Sequence, residues 1–154
     1  TEKYFLNIRD EILKDFKIRK EYRDDCKSIL KQFDHPIALH IRRGDFQYKD
    51  TRISAESILE TTNPIVKQHI DRTRVIYIAS DERNTSFFQP WRDAGYTIFT
   101  LQDFGNIIDG VDRNYLGMIE QIVCANAHVF FGTYKSTFTG YITRLRGYYR
   151  DGRH

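Results

Sequence analysis

Four short apolar runs punctuate this chain: "IALHI" (37–41), "VIYIAS" (75–80), "YTIFTL" (96–101) and "HVFFG" (128–132). Each has the length and composition of a buried strand. Between them lie segments whose apolar residues recur at helical spacing. Strands that are apolar throughout need cover on both faces, and strand–helix alternation builds βαβ units. The chain is therefore expected to be α/β, a parallel sheet with helices on both sides.

The helical segments follow from the same periodicity. Residues 3–33 carry Leu6, Ile8, Ile12, Leu13 and Phe16, then Ile29, Leu30 and Phe33, until Pro36 ends the region. Residues 54–70 read as a helix that Pro64 can interrupt. "NTSFFQPWRDAG" (84–95) reads as a short helix stopped by Gly95. Residues 103–112 read as a loop punctuated by Gly and Asp. Residues 113–127 form a helix with Leu116, Ile119 and Val123 on one stripe. Residues 136–147 form the last helix, with Phe138, Ile142 and Leu145 inward.

Length and charge narrow the function classes. A chain of 154 residues is read as one domain, 1–154, large enough for a real core. A net charge of +3 with both signs interspersed is too weak and dispersed to predict a nucleic-acid partner. It suits a small anionic ligand. The histidines show no paired metal-ligand spacing, so no metal site is expected. Cys26 and Cys124 do not make a disulfide framework, and Cys124 reads as a buried helix residue. No apolar stretch approaches the roughly 20 residues of a membrane span. The opening "TEKYFLNIRDEILKDFK" is charged and has neither a signal peptide nor an initiator Met. A piece of a longer protein is expected.

Ligands of open α/β sheets bind outside the carboxyl ends of the strands. Three polar clusters each follow a predicted strand and so share that rim: "HIRRGD" (40–45), "SDE" (80–82) and "GTYKST" (132–137). In an extended strand His40 and Arg42 share one face and Arg43 points to the other. A guanidinium is the natural bidentate partner of a phosphate. Both arginines can equally pair with acids at the strand end, and Asp45 can lock one of them. Strand, glycine, then Ser136 and Thr137 opening a helix is a phosphate-binding design, because unpaired N–H groups and the helix dipole meet an anion there. Simple N-capping by Ser136 is the plainer alternative. Asp81 and Glu82 are candidates to cap the next helix, Asp81 above all, or to contact a ribose or base.

Taken together, the segments resemble the GDP-fucose protein O-fucosyltransferase family. "HIRRGDF" is similar to its His-x-Arg-Arg-x-Asp motif. "VIYIASDE" is similar to its strand ending in a Ser/Thr-Asp pair. "MIEQIVCANAHVFFGTYKSTFTGYITRLRG" (118–147) resembles its third block. The blocks come in family order over residues 37–147. The α1,2-fucosyltransferases carry a peptide like the first block but are not expected to have "STFTGYI".

The resemblance implies a GT-B glycosyltransferase, of which this chain is the C-terminal, Rossmann-like, donor-binding half. It implies GDP-fucose as donor, inversion at the anomeric carbon and no metal or other cofactor. By motif position, Arg42 grips the β-phosphate as the catalytic residue, and His40 shapes the same pocket. Ser136, Thr137 and Phe138 wrap the diphosphate. Arg43, Asp45 and Asp81 match motif positions with structural or donor-binding roles. Glu120 stands where the animal enzymes typically have Asp, on the guanine side. The partners implied are GDP-fucose, a protein or glycan acceptor and an N-terminal domain lying outside this chain. The compartment implied is the secretory lumen, endoplasmic reticulum or Golgi. Two other readings stay open at this point: a non-catalytic nucleotide-sugar-binding module, and a glycosyltransferase with another nucleotide-sugar donor.

Overall fold

A computed structural model describes residues 28, 29, 32, 36–44, 47, 52–69 and 74–150, with the side chains of 148–150 excluded. The strands are β1 (Ile37–Ile41), β2 (Val75–Ser80), β3 (Thr97–Phe99) and β4 (Val129–Gly132). The α-helices are α1 (Ala55–His69), α2 (Gln89–Asp93), α3 (Gly105–Ile108), α4 (Leu116–Asn126) and α5 (Thr137–Arg150). The strands form one parallel sheet in the order β3-β2-β1-β4. The expected α/β class is the one observed. β1 is buried along its whole length and β2 along all but its end residues, which is why their sequences are continuously apolar.

Each sheet face has its own core. On one face Ile37, Leu39 and Ile41 meet Ala55 and Val66 of α1, Ile76 and Ile78 of β2, and Trp91 of α2. On the other, Ala38, Tyr77 and Ala79 meet Ile119, Ile122 and Val123 of α4 and Ile142 of α5, with Phe138 and Leu145 packed alongside. Ile29 is fully buried in this second core; the rest of the predicted first helix, together with Cys26, lies almost entirely outside the described residues. Cys124 is buried in α4, and burial pushes its thiol pKa up.

Four local expectations are corrected. Pro64 does not interrupt α1, which runs on to His69; Pro64 and Glu60, one turn earlier, are both solvent-exposed. The predicted strand 96–101 ends at Phe99, because a capping box between Thr100 and Asp103 turns the chain into a 3-10 turn, Leu101–Phe104. The predicted loop 103–112 thus opens with helical turns. Leu101 and Phe104 drop into the core from there. The segment 84–95 is a 3-10 turn, Thr85–Phe88, followed by the short α2.

The strand order fixes where a ligand can sit. From β1 the chain steps outward through β2 to β3, then returns to place β4 on the opposite side of β1. The crossovers reverse between β1 and β4, and a crevice opens outside their carboxyl ends.

Candidate functional site

The end of β1 is held from both neighbours. From β4, the Thr133 N–H and hydroxyl both donate to the His40 carbonyl, at 3.1 and 2.9 Å, and the same hydroxyl accepts the Arg42 N–H at 2.9 Å. From β2, the Ser80 hydroxyl donates to the Ile41 carbonyl at 2.6 Å. Asp81 accepts the Arg43 N–H on Oδ1 at 2.7 Å and the Gly44 N–H on Oδ2 at 2.8 Å. The residues just past the two flanking strands thus supply most of the partners, and Arg52 donates to the Gly44 carbonyl. A buried strand end needs such partners for its polar groups.

Strand alternation then divides the two arginines. His40 and Arg42 face α4 and α5. Arg42 Nη1 pairs with Asp81 Oδ2 at 2.8 Å. Arg43 turns to the α1 face, where its Nε pairs with Glu82 at 2.9 Å and its Nη1 donates to the Ile53 carbonyl at 2.7 Å. Its guanidinium lies 4.2 Å above the Phe87 ring. Both arginines are thus paired with acids, as the plainer alternative had it, but on opposite faces. The residues following β2 are corrected in role. Asn84, not Asp81, caps the next turn, accepting the Ser86 N–H at 3.1 Å. Glu82 accepts the Asn84 N–H at 2.9 Å; that backbone bond and, less strongly, Arg43 hold its carboxyl below the usual range.

His40 is buried, and its ring stacks on Phe138 of α5 at 4.6 Å. Its Nδ1 is hydrogen-bonded to the Thr139 hydroxyl at 2.7 Å. Burial lowers its pKa to about 4, against the pull of Asp81 and with the push of Arg42, so the ring is neutral near pH 7. Gly132 makes this contact possible. A Cβ there would lie 2.2 Å from Thr139 Cγ2 and 2.8 Å from its hydroxyl oxygen. Between β4 and α5 the chain turns through Lys135, whose φ of +60° is left-handed, and reaches Ser136 and Thr137 at the helix start. The Ser136 carbonyl accepts the Gly140 N–H at 3.0 Å, a helical bond at the start of α5.

Glu120 projects from α4 toward this same face. Burial raises its pKa to about 7, and the Asp81 carboxylate adds to the rise. Gly117, one turn earlier, lies against Phe138; a Cβ there would be 3.7 Å from the ring. A cavity of about 700 Å³ opens beside the end of β1 on its α1 side, walled by Ile53, Ile58 and Thr62 and by Phe131 and Tyr134, and both Arg42 and Arg43 line it. That volume suits a small ligand.

Of the sequence-predicted residues, His40, Arg42, Asp81, Glu120 and Phe138 are brought together, with Ser136 and Thr137 at the adjoining helix start. Arg43 lines the cavity on the α1 side but is clamped by Glu82 and the Ile53 carbonyl, and Asp45 lies outside the described residues. Thr133 and Thr139 are candidate-site residues that sequence reasoning passed over. Both sit in "GTYKSTFT", but only the β1–β4 pairing shows that their hydroxyls reach back to β1.

Comparison with known proteins gives consistent results. The sequence model of the family described as GDP-fucose protein O-fucosyltransferase matches residues 17–149. A protein from Plasmodium falciparum (isolate NF54) named GDP-fucose protein O-fucosyltransferase 2 is 28% identical over 150 residues, 90% of this chain and 29% of that protein. The crystal structure of POFUT1 in complex with GDP is similar in fold, with a TM-score of 0.61 at 13% identity over 82% of this chain and 43% of that chain. This chain spans less than half the length of either protein.

Proposed function

Because the chain belongs to the GDP-fucose protein O-fucosyltransferase family, we propose that it is the donor-binding, C-terminal half of a GT-B enzyme that transfers fucose from GDP-fucose to a hydroxyl of a protein or glycan. The observation that carries this reading is the placement of Arg42. Its backbone N–H is bonded to Thr133 just beyond β4 and its guanidinium is paired with Asp81 just beyond β2, so it stands at the carboxyl end of β1, the strand about which the crossovers reverse.

In this reading Arg42 binds the β-phosphate, while the N–H groups at the start of α5, with Ser136 and Thr137, receive the diphosphate. Departure of GDP builds charge on the β-phosphate. A guanidinium fixed there acts more strongly on the transition state than on the bound donor. The neutral His40 ring and Phe138 form the apolar wall behind. Glu120, when ionised, accepts the N–H groups of the guanine edge. Transfer is inverting and metal-independent, with the arginine and the helix start supplying the positive charge. The acceptor, and the base that activates it, belong to a domain outside this chain. The compartment proposed is the secretory lumen. Among the described residues no helix is long and apolar enough to cross a membrane.

Calorimetry of the chain with GDP, ADP and UDP tests the reading. GDP is expected to bind in preference to both, with negligible hydrolysis of GDP-fucose in the absence of an acceptor domain. Equal affinity for all three would remove the guanine assignment. The longer enzyme is expected to keep its activity in excess chelator and to give the inverted anomer by NMR.

A further inference from the structure

We infer that Asp81 is a positioning residue that acts through Arg42, presetting the guanidinium for a phosphate instead of touching the nucleotide itself. The inference rests on the reading of Arg42 as the β-phosphate ligand. Three donors converge on this one carboxylate: the Arg43 N–H at 2.7 Å, the Gly44 N–H at 2.8 Å and Arg42 Nη1 at 2.8 Å. A carboxylate offers about four lone-pair directions. Three of them are turned back on the end of β1. The same two backbone bonds fix the carboxylate on the chain that carries Arg42, so acid and guanidinium are held in one frame.

Gly44 supplies an independent sign that the seat is built for this carboxylate. A Cβ at position 44 would lie 2.6 Å from Asp81 Oδ2 and 3.3 Å from its Cγ. A side chain there requires the carboxylate to shift from this seat. From the other side, Thr133 fixes the Arg42 N–H at 2.9 Å, so backbone and side chain of Arg42 are anchored by different strands. An arginine side chain ordered in advance loses less freedom when a phosphate arrives. Asp81 also withdraws some positive charge from the site. The geometry favours ordering as the larger effect, because the two groups of the pair keep 34% and 24% of their side-chain surface exposed, where Coulomb terms are screened.

The test is a double-mutant cycle on the 154-residue chain, read as the affinity for GDP and for GMP, which lacks the β-phosphate. Asp81→Asn is expected to weaken GDP roughly three- to tenfold, the range for ordering one long side chain, and to leave GMP unchanged. In the Arg42→Ala background the same change is expected to do nothing further. Equal losses in both backgrounds would overturn the inference, and so would a gain in GDP affinity, which would mean that Asp81 merely competes with phosphate. Gly44→Ala leaves the acid in the sequence but displaces it, and is expected to reproduce the selective GDP loss. A second readout needs no nucleotide: the NMR order parameter of the Arg42 Nε–H is expected to fall in Asp81→Asn, and an unchanged value would sink the proposal. A chain that binds no GDP but shows that fall would remove the phosphate reading of Arg42 and keep the positioning role.

Discussion

Arg42 and Arg43 are consecutive, chemically identical and both paired with acids, yet they inhabit different worlds. Arg42 stands with His40, Asp81 and Phe138 on the α4–α5 face, at the crevice between β1 and β4. Arg43 stands on the α1 face, clamped by Glu82, the Ile53 carbonyl and the Phe87 ring. The two-residue period of β1, carried one step past its end, sets the difference, and Asp81 and Thr133 on one side and Glu82 and Ile53 on the other hold it. A pair of arginines at a strand end therefore gives one cation to the crevice and one fastener to the fold.

The largest expected effect lies on the Arg42 side. In the proposed longer fucosyltransferase, Arg42→Ala is expected to slow transfer by on the order of 30- to several thousand-fold, since breaking a bidentate charged contact costs about 2–5 kcal/mol. Lys is expected to restore only part of this, because an ammonium cannot make the planar fork. Initial rates on both variants, with melting curves to verify the fold, make the measurement. Arg43→Ala proving worse for rate at an unchanged melting temperature would reverse the assignment of faces.

Gly132→Val comes next. Its Cβ would overlap Thr139, which holds His40. Overpacking of this kind costs about 1–3 kcal/mol. A lowered midpoint in urea, together with an upfield or downfield change in the His40 ring resonances, is expected. An unaltered His40 spectrum would mean that β4 and α5 part without disturbing the stack.

The Arg42 side also carries the pH-sensitive groups. Glu120 titrates at about 7 when folded, against 4.5 for the ordinary carboxyl. If its ionised form reads guanine, GDP affinity should rise about tenfold between pH 6 and pH 8, following the ionised fraction. Glu120→Gln should flatten that profile. Glu120→Ala should weaken GDP more than pyrophosphate. The stability sign is opposite: the folded chain holds this proton more tightly than the unfolded one, so the contribution of Glu120 falls as pH rises from 4.5 through about 7. His40 works from the acid end. Its folded pKa of about 4 lies below the ordinary 6.5, so its contribution is present above 6.5 and lost as pH falls toward 4.

The smallest effect is expected for Arg43→Ala. Its contacts are partly solvated, so the loss should be roughly 1–2 kcal/mol of stability, seen as a lower melting temperature. The GDP-to-GMP affinity ratio should stay as it was. A collapse of that ratio would show that the two faces communicate.

How much of this could be read in advance varied with the kind of contact involved. β1 and β2 were legible to the residue, because strands buried on both faces are apolar throughout and are bounded by charged residues. β3 was not, because Leu101 is apolar for the sake of a helical turn, and the Thr100–Asp103 box that makes the turn is a local contest invisible in apolar spacing. The opposite facing of Arg42 and Arg43 was legible from period two alone. Their partners were not. Asp45 is a near neighbour in sequence, but the acids seen on these arginines are Asp81 and Glu82, nearly 40 residues on, brought there by the β1–β2 register. Glu120 was found by motif position, whereas its raised pKa depends on burial that no spacing reveals.

The sheet order also sets when the crevice can come into being. The contacts that build it join residues far apart in sequence: 91 positions for the Arg42–Thr133 bond and 99 for His40–Thr139. Contacts of such long range are the slow ones to form. A nascent chain can pair β1 with β2 and β3 long before β4 exists, but Arg42 and His40 then lack the strand that aligns them. Ligand affinity thus tracks the last crossover, not the assembly of the sheet. In refolding from urea, GDP binding is expected to lag the far-ultraviolet circular dichroism signal, and a nucleotide that selects the closed crevice would act as a folding chaperone for the final step.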